Sequence, residues 1–306
     1  MIIFLSILGV VGVSASGPIM AATAAPVLAI AFWRNFLGSL LMGGPAILSK
    51  RAEFAALTGR DYRRLALAAV ALALHFACFI TALKLTSVAV ATALVCLQVA
   101  WIALFNALLG SKPQRAVVVG LGIAFLGVVI ITGFDLSLSR DALIGDLLAL
   151  AGGALAGVYQ MTGAVARRTM STGTYTTLCY GACSLILLLL CALTRQPIVG
   201  FSPAAWAGIL AVTLMAQIMG HTVFNHLLAV MSPLVVSMII LLEIPGAAIL
   251  AALFLGETLP AGTYGGLVLI LVGLAVVVLG QQRRRIRRRP LVADGSTAPP
   301  PALGGD

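Results

Sequence analysis

A single carboxylate, Glu243, lies near the middle of an otherwise apolar stretch of the sequence, residues 234–255. An unpaired charge in hydrocarbon costs about 3 kcal/mol on insertion scales, so a carboxyl group kept there needs a polar partner, a cavity or a proton. A proton that crosses a membrane potential releases about 2.3 kcal/mol per 100 mV, which a carboxyl group can couple to solute movement. The alternative interpretation is a structural group that is hydrogen-bonded inside a helix bundle.

A second candidate is a stripe of four polar residues on one apolar segment, spaced four apart: Thr213, Gln217, His221 and Asn225. This spacing places all four on one slowly drifting helix face. A polar stripe on a spanning helix should face protein or water rather than lipid. It is therefore either a cavity wall that binds substrate or relays protons, or a set of hydrogen bonds between helices.

Further polar and aromatic residues lie inside apolar segments. His75 is either a cavity residue that handles protons or a side chain satisfied by a backbone carbonyl. Arg34 can reach the membrane surface, pair with a carboxylate or bind an anionic substrate. Glu257 lies at the end of its segment, where we expect it to cap or anchor a helix. The remaining candidates for the central space are Gln98, Trp101, Tyr159 and Gln160, and packing is the alternative for Trp101 and Tyr159.

The segments that must position these residues are spanning helices. Hydrophobic residues are 61% of the 306 residues and charged residues only 9%, whereas a soluble domain has about 25% charged residues. Apolar runs of about 20 residues fit the thickness of a bilayer as helices. We predict an all-α integral membrane protein whose ten transmembrane helices lie at residues 2–22, 28–48, 65–85, 88–109, 116–133, 145–166, 173–193, 204–227, 233–255 and 261–280.

Positive charge marks one side of the predicted membrane. Most of the 19 basic residues follow even-numbered helices, and six of them form the cluster Arg283–Arg285 and Arg287–Arg289. Basic loops face the cytoplasm, so we expect both termini there in a cell membrane, inner or plasma. The cluster directly follows a spanning helix, which favours contact with anionic lipids over nucleic acid. Residues 290–306 are rich in Pro, Gly and Ala, and we expect them to be disordered.

An internal repeat divides the chain. A shift of 146 residues superimposes His75 on His221, and it superimposes three glycines on three others: Gly110, Gly120 and Gly127 on Gly256, Gly266 and Gly273. Each half carries five predicted helices, an odd number, so the halves have opposite orientations. Inverted repeats are typical of secondary transporters, which bind substrate near the midplane between the halves. We predict repeats at residues 1–133 and 134–280, followed by a tail at 281–306.

Several strings resemble the EamA-type transporters of the drug/metabolite transporter (DMT) superfamily over about residues 1–280. They are Ala31-Phe32-Trp33-Arg34, Ala73-Leu74-His75-Phe76, Gly220-His221-Thr222 with Asn225, and Leu242-Glu243 followed by Gly256-Glu257. The resemblance implies a ten-helix, two-repeat permease that exports amino acids, metabolites or drugs.

The expected function is therefore a secondary active transporter, most simply a proton-coupled exporter of an amino acid-like metabolite or a drug. An uncoupled facilitator or channel is the alternative. No ATP-binding motif GxxxxGK[ST] occurs, and HExxH is absent, so neither an ATP-driven pump nor a zinc hydrolase is indicated. The near match to GxSxG at residues 12–17 lacks its last glycine in register, and we expect no enzyme, metal or cofactor. Whether a second copy forms a homodimer stays open.

Overall fold

The computed structural model describes residues 1–110, 115–231, 236 and 239–287, and within them the chain is helical and contains no strand. The first half holds α1 (Ile2–Ala22), α2 (Val27–Ser49), α3 (Arg51–Ala55), α4 (Gly59–Leu85), α5 (Val88–Cys96), α6 (Gln98–Leu108) and α7 (Arg115–Leu138). The second half holds α8 (Arg140–Ala166), α9 (Thr172–Leu193), α10 (Pro203–Val212), a π-helix (Thr213–Thr222), α11 (Val223–Val230), α12 (Glu243–Leu255) and α13 (Ala261–Arg287).

Seven of the helices in the described part are long and apolar enough to cross a membrane. They are α1, α2, α4, α8, α9, the continuous stretch Val88–Leu108 and the continuous stretch Pro203–Val230. Three shorter apolar stretches also occur: Arg115–Ile131 within α7, Glu243–Leu255 (α12) and Ala261–Val277 within α13. The predicted all-α, multi-pass membrane protein is thus confirmed, whereas the count of ten spans stays a prediction. The predicted disorder after residue 290 lies outside the described residues.

Short polar residues set the starts of several helices. Thr58 accepts a hydrogen bond from the backbone N–H of Asp61, and the Asp61 carboxylate accepts one from the Thr58 N–H, which makes a capping box. This box starts α4 at Gly59, six residues before the apolar run that we used to predict it. Ser139, Ser171 and Ser202 cap the starts of α8, α9 and α10, each side chain accepting a hydrogen bond from the backbone N–H three residues later.

Helix α1 lies between the two halves because its small residues allow close approach. Gly12 packs against the backbone of the π-helix at Met215 and Gly220. Gly17 lies against the Val88 side chain at the start of α5. Small residues of this kind let helix backbones approach closely in a membrane, where apolar burial gives little driving force between helices.

Helices α7 and α13 form an antiparallel pair with crosswise glycine contacts. A Cβ atom added at Gly120 would lie 2.5 Å from the carbonyl oxygen of Gly273, and one at Gly127 would lie 2.6 Å from that of Gly266. Gly120 and Gly266 occupy equivalent positions under the 146-residue shift, as do Gly127 and Gly273. Gly120 therefore contacts the equivalent of Gly127, and Gly127 contacts the equivalent of Gly120. This is the pattern expected from a local two-fold axis.

This contact gives a stability prediction. Gly127→Ala should lower the free energy of unfolding by about 1–3 kcal/mol relative to Gly122→Ala, because only the former forces two packed backbones apart. Both changes give the same gain in helix propensity, and a Cβ at Gly122, on the same helix, meets nothing within 4 Å. Thermal unfolding of the purified protein in detergent measures the difference. Equal stability of the two variants would contradict the packing of α7 on α13 described above.

Candidate functional site

A largely enclosed cavity of about 60 Å³, whose wall combines apolar and polar side chains, lies among α1, α2, α4, α5, α6, α8, α11, α12 and the π-helix. Predicted site residues form much of its wall: Arg34, His75, Gln98, Tyr159, Gln160, His221, Asn225 and Glu243. Apolar side chains complete it, among them Val13, Phe76, Phe79, Val95, Phe224, Leu228 and Ile240. One water needs about 10–15 Å³ by this kind of measure, so the cavity has room for a few waters.

Two interrupted helices meet at this cavity. Helix α5 ends at Cys96 and α6 begins at Gln98, with Leu97 donating to Leu94 O in a tight i to i−3 turn. A similar turn, in which Leu242 donates to Ile239 O, precedes the start of α12 at Glu243. The break at Leu97 and the start at Glu243 are separated by 146 residues. Side chains at the two breaks face each other, and the Cys96 thiol lies 4.0 Å from Glu243 Oε2.

The break in the second half differs from the single helix that we predicted over residues 233–255. The described helix begins ten residues later, at Glu243, and Pro245 lies in its first turn. Proline is tolerated there because the first N–H groups of a helix have no partner within the helix. Glu243 thus stands at the positive end of a helix dipole, which favours a carboxylate at that position.

Glu243 is partly buried and, among the described residues, forms no ion pair. Its carboxylate accepts one weak hydrogen bond among the described residues, from the Cys96 thiol. Its carboxylate shares the cavity wall with the imidazoles of His75 and His221 and with the guanidinium of Arg34. These groups can hold a proton or a polar ligand that enters the cavity.

Arg34 is completely buried on α2, and one side of its guanidinium is fixed by neighbours. Its Nε donates to Gln217 Oε1 (2.9 Å), and one terminal nitrogen, Nη1, approaches Met20 Sδ (3.3 Å). The guanidinium carbon lies 4.1 Å from the centre of the Phe76 ring, within the range of a cation–π interaction. The other terminal nitrogen, Nη2, has no hydrogen-bond partner.

Three residues of the polar stripe, Thr213, Gln217 and His221, lie on a π-helix inside the helix predicted at residues 204–227, and Asn225 follows on α11. The Thr213 hydroxyl donates to the Ile209 carbonyl oxygen. Gln217 accepts a hydrogen bond from Arg34 and donates one to Asn35 Oδ1 (3.1 Å). His221 and Asn225 reach the cavity wall. The stripe therefore divides between structural hydrogen bonds at its start and cavity lining at its end. π-Helical turns are rare and often occur at functional sites.

A hydrogen-bonded cluster of Asn225 and two tyrosines forms one end of the cavity. Asn225 Nδ2 donates to the hydroxyl of Tyr159 (2.9 Å) and to that of Tyr180 (3.2 Å). The backbone carbonyl of Asn225 accepts a hydrogen bond from Nε of Arg167 (3.3 Å). The same guanidinium donates through Nη2 to the hydroxyl of Thr172 at the start of α9. The cluster joins α8, α9 and α11 in this closed arrangement.

His75 fits both interpretations offered for it. Its Nδ1 lies 2.9 Å from the carbonyl oxygen of Gly152, while the ring also contributes to the cavity wall. The carbonyl fixes Nδ1 as the donor of a neutral ring, so Nε2 is the nitrogen that can accept a proton. Sequence reasoning could not choose between these two roles because the same side chain performs both contacts.

Trp101 and Gln217 are two candidates that are absent from the cavity wall. Trp101 faces a separate apolar groove of about 390 Å³, bounded by α6, α7 and α8, and stacks on Phe105 with ring centres 6.0 Å apart. Gln98, three residues earlier on α6, does reach the cavity. The packing interpretation given for Trp101 is the one that its position favours, whereas Tyr159 lines the cavity.

Sequence reasoning missed two features near the site. Glu257 caps a helix, as expected, but the helix is α5 of the other half, whose first two N–H groups at Val88 and Ala89 donate to its carboxylate (2.7 and 3.4 Å). Asp146 is completely buried on α8, at the second position of the span predicted at residues 145–166, and the sequence analysis did not single it out.

The described residues hold no group of three or more His, Cys, Asp and Glu side chains that could bind a metal ion. The polar groups of the cavity instead come from side chains of mixed type and charge. Such a site suits a small organic ligand or protons better than a cation cage.

Comparisons with known proteins agree with this architecture. The model of the EamA-like transporter family matches the chain twice, at residues 1–133 and 143–279. No curated protein matches the sequence. In all, 29 solved chains match, and one of them has a TM-score of 0.66 at 17% identity, covering 92% of this chain and 98% of its own. At that identity the likeness shows the fold alone.

The cluster around Asn225 gives a second stability prediction. Asn225→Ala leaves two buried hydroxyl groups without their amide partner, so we expect a loss of about 1–3 kcal/mol in unfolding free energy. Asn106→Ala is the matched control, because that exposed amide bonds only to a carbonyl of its own helix, Ile102 O. Thermal unfolding of both variants in detergent measures the effect. An Asn225 variant as stable as the control would show that the cluster is not formed.

Proposed function

Because the chain belongs to the EamA-like transporter family of the DMT superfamily, we propose that it is a secondary active exporter of a small organic molecule. The family makes the chain a membrane transporter. Direction, substrate and energy source are the parts that we add. The substrate is an amino acid-like metabolite or a drug, and the driving force is proton exchange. One observation carries the proposal, namely that two interrupted helices meet at a largely enclosed cavity with Glu243 in its wall.

The two halves act as inverted repeats in this proposal, at residues 1–133 and 134–280. Four pairs of equivalent positions support it. Gly110 and Gly256 both have positive φ (91° and 66°), and the two glycine pairs of α7 and α13 pack crosswise. The helix breaks at Leu97 and Glu243 form the fourth pair. Inverted-repeat transporters place their substrate sites at such interrupted helices.

Transport requires the cavity to open. A space of about 60 Å³ admits a few waters, whereas small-molecule sites range over about 300–1,000 Å³. We propose that this closed form alternates with forms open to one side, the two halves rocking about the central site. The cluster of Tyr159, Tyr180 and Asn225 then closes one end of the cavity and must separate when that end opens.

Glu243 is the proposed proton carrier. Its carboxyl group shares the cavity wall with the Arg34 guanidinium but, among the described residues, makes no ion-pair contact. In this proposal its proton leaves or returns when a charged ligand arrives or departs. His75 and His221 extend the possible proton path along the wall.

The surroundings of the protein are proposed on charge. Basic loops after even-numbered helices place both termini in the cytoplasm, across a cell membrane. The cluster at residues 283–289 then lies beside anionic lipid headgroups. No nucleic acid is needed as a partner, and pairing with a second copy stays open.

A growth screen identifies the substrate. Overexpression of the chain should protect cells against a toxic excess of one amino acid or drug, because an exporter lowers its internal concentration. The measurement is growth with the chain and with Glu243→Gln over a panel of both compound classes. Protection by the wild-type chain and its loss in the variant support export. No protection, together with no solute movement by the reconstituted chain, would rule out the proposal.

Reconstituted vesicles test the coupling. With the compound found by the screen, a pH gradient should drive uptake into inverted vesicles at least tenfold above the rate without a gradient, and Glu243→Gln should remove this stimulation. Asp141→Asn is the control, since it also turns a carboxylate into an amide, at an exposed acid outside the cavity. Transport that is unchanged after collapse of the gradient would instead identify an uncoupled facilitator.

A further inference from the structure

The feature not explained by proton coupling is the permanent charge of Arg34. This guanidinium is completely buried, stays charged at any working pH and, among the described residues, forms no ion pair. A buried cation without a counter-ion lowers the stability of the folded protein, because its lost hydration is not replaced by an opposite charge. The neutral contacts from Gln217 and Met20 offset only part of that cost. Glu243 shares the cavity wall with Arg34 but, among the described residues, makes no ion-pair contact with it, so no anion touches the guanidinium.

The guanidinium is oriented for a ligand rather than for its own helix. Gln217 holds Nε through its carbonyl oxygen, and Asn35 holds Gln217 in turn, so the amide cannot turn its nitrogen toward the cation. The ring of Phe76 covers one face of the guanidinium at 4.1 Å. These contacts occupy one edge and one face, and they leave Nη2 without a partner on a residue that lines the cavity.

A carboxylate is the group that fits this arrangement. Arginine presents parallel N–H groups whose spacing matches the two oxygens of a carboxylate, and such charge-assisted bonds are about twice as strong as neutral ones. Phosphate and sulfonate share the charge but are bulkier, and the cavity is small. The rest of the wall is mainly aliphatic and aromatic, from Val13, Phe79, Phe224, Leu228 and Ile240, which suits an apolar body on the same ligand.

We propose that Arg34 is the subsite for the acid group of the transported molecule and that the substrate is a small carboxylate with an apolar body. This inference rests on the transport function proposed above. It excludes lipophilic cations as substrates, because a cation would leave Arg34 unpaired and add a second positive charge beside it. Gln217 acts as a positioning residue that holds Nε of Arg34, while Nη2 has no partner among the described residues and is left for the ligand.

Three ligands that share a 3-methylbutyl body test the charge requirement. They are leucine, which is zwitterionic, 4-methylpentanoate, which carries the acid group alone, and 3-methylbutylamine, which carries the amine alone. Calorimetric titration of the full chain in detergent measures the binding of each. We expect both carboxylates to bind and the amine to bind at least tenfold more weakly. Tighter binding of leucine than of 4-methylpentanoate assigns the amine a partner in the cavity, and the reverse assigns it none; both support the acid subsite.

Two variants assign the subsite to Arg34. Arg34→Gln should weaken binding of both carboxylates at least tenfold, and Arg34→Lys, which keeps the charge, should restore part of it. Gln217→Glu is nearly isosteric and should fold, yet it supplies Arg34 with an internal counter-ion, so we expect it also to weaken carboxylate binding at least tenfold. Arg168→Gln is the matched control, because it removes the same charge at an exposed site outside the cavity.

Several outcomes would overturn the inference. They are equal binding of amine and carboxylates, unchanged carboxylate affinity in both Arg34→Gln and Gln217→Glu, or no binding of any of the three by the folded wild-type chain. None of these outcomes decides the transport proposal, which depends on solute movement in vesicles and on Glu243. A chain that transports a cationic drug but binds no carboxylate would sustain the transporter and reject the subsite.

Discussion

Two opposite charges in one small, largely enclosed cavity are the constraint around which the rest of the structure is arranged. Arg34 and Glu243 both line a space of about 60 Å³ inside a bundle whose wall is otherwise mostly apolar. Neither forms an ion pair among the described residues, so each is stabilised by dipoles: amide and sulfur contacts for Arg34, and the start of α12 for Glu243. Dipoles stabilise a charge less firmly than a counter-ion does, and this leaves both groups able to respond to an incoming ligand.

The backbone around the cavity departs from regular α-helix at three places, namely Leu97, the turn before Glu243, and the π-helical segment Thr213–Thr222. Backbone polar groups can lose regular helical bonds in a membrane only where protein or a cavity satisfies them. Regular helices elsewhere pack through glycine, as α7 does on α13. The molecule thus combines rigid, closely packed helix pairs at its periphery with irregular backbone at its centre.

Much of this arrangement can be predicted from sequence, and the limits have physical causes. The membrane class follows from composition, and Glu243, His75 and His221 were selected because polar groups are costly in apolar helices; all three lie at the cavity. The position of Trp101 could not be predicted, because it depends on how α6 packs against α7 and α8. The contact between Arg34 and Gln217 joins residues 183 apart in sequence and leaves no local pattern.

The carboxylate of Glu257 has a consequence for the energetics of motion. It satisfies backbone donors at Val88 and Ala89, which belong to the opposite half of the sequence. A conformation that separates these two helix ends leaves two backbone N–H groups and one carboxylate without hydrogen-bond partners. In contact with water they are resolvated at little cost, whereas in hydrocarbon they are not. Breaking the hydrogen bonds between Glu257 and α5 therefore costs little free energy at the membrane surface and much more within the hydrocarbon. The two halves can separate at this contact only where water reaches it, at the rim of the bundle.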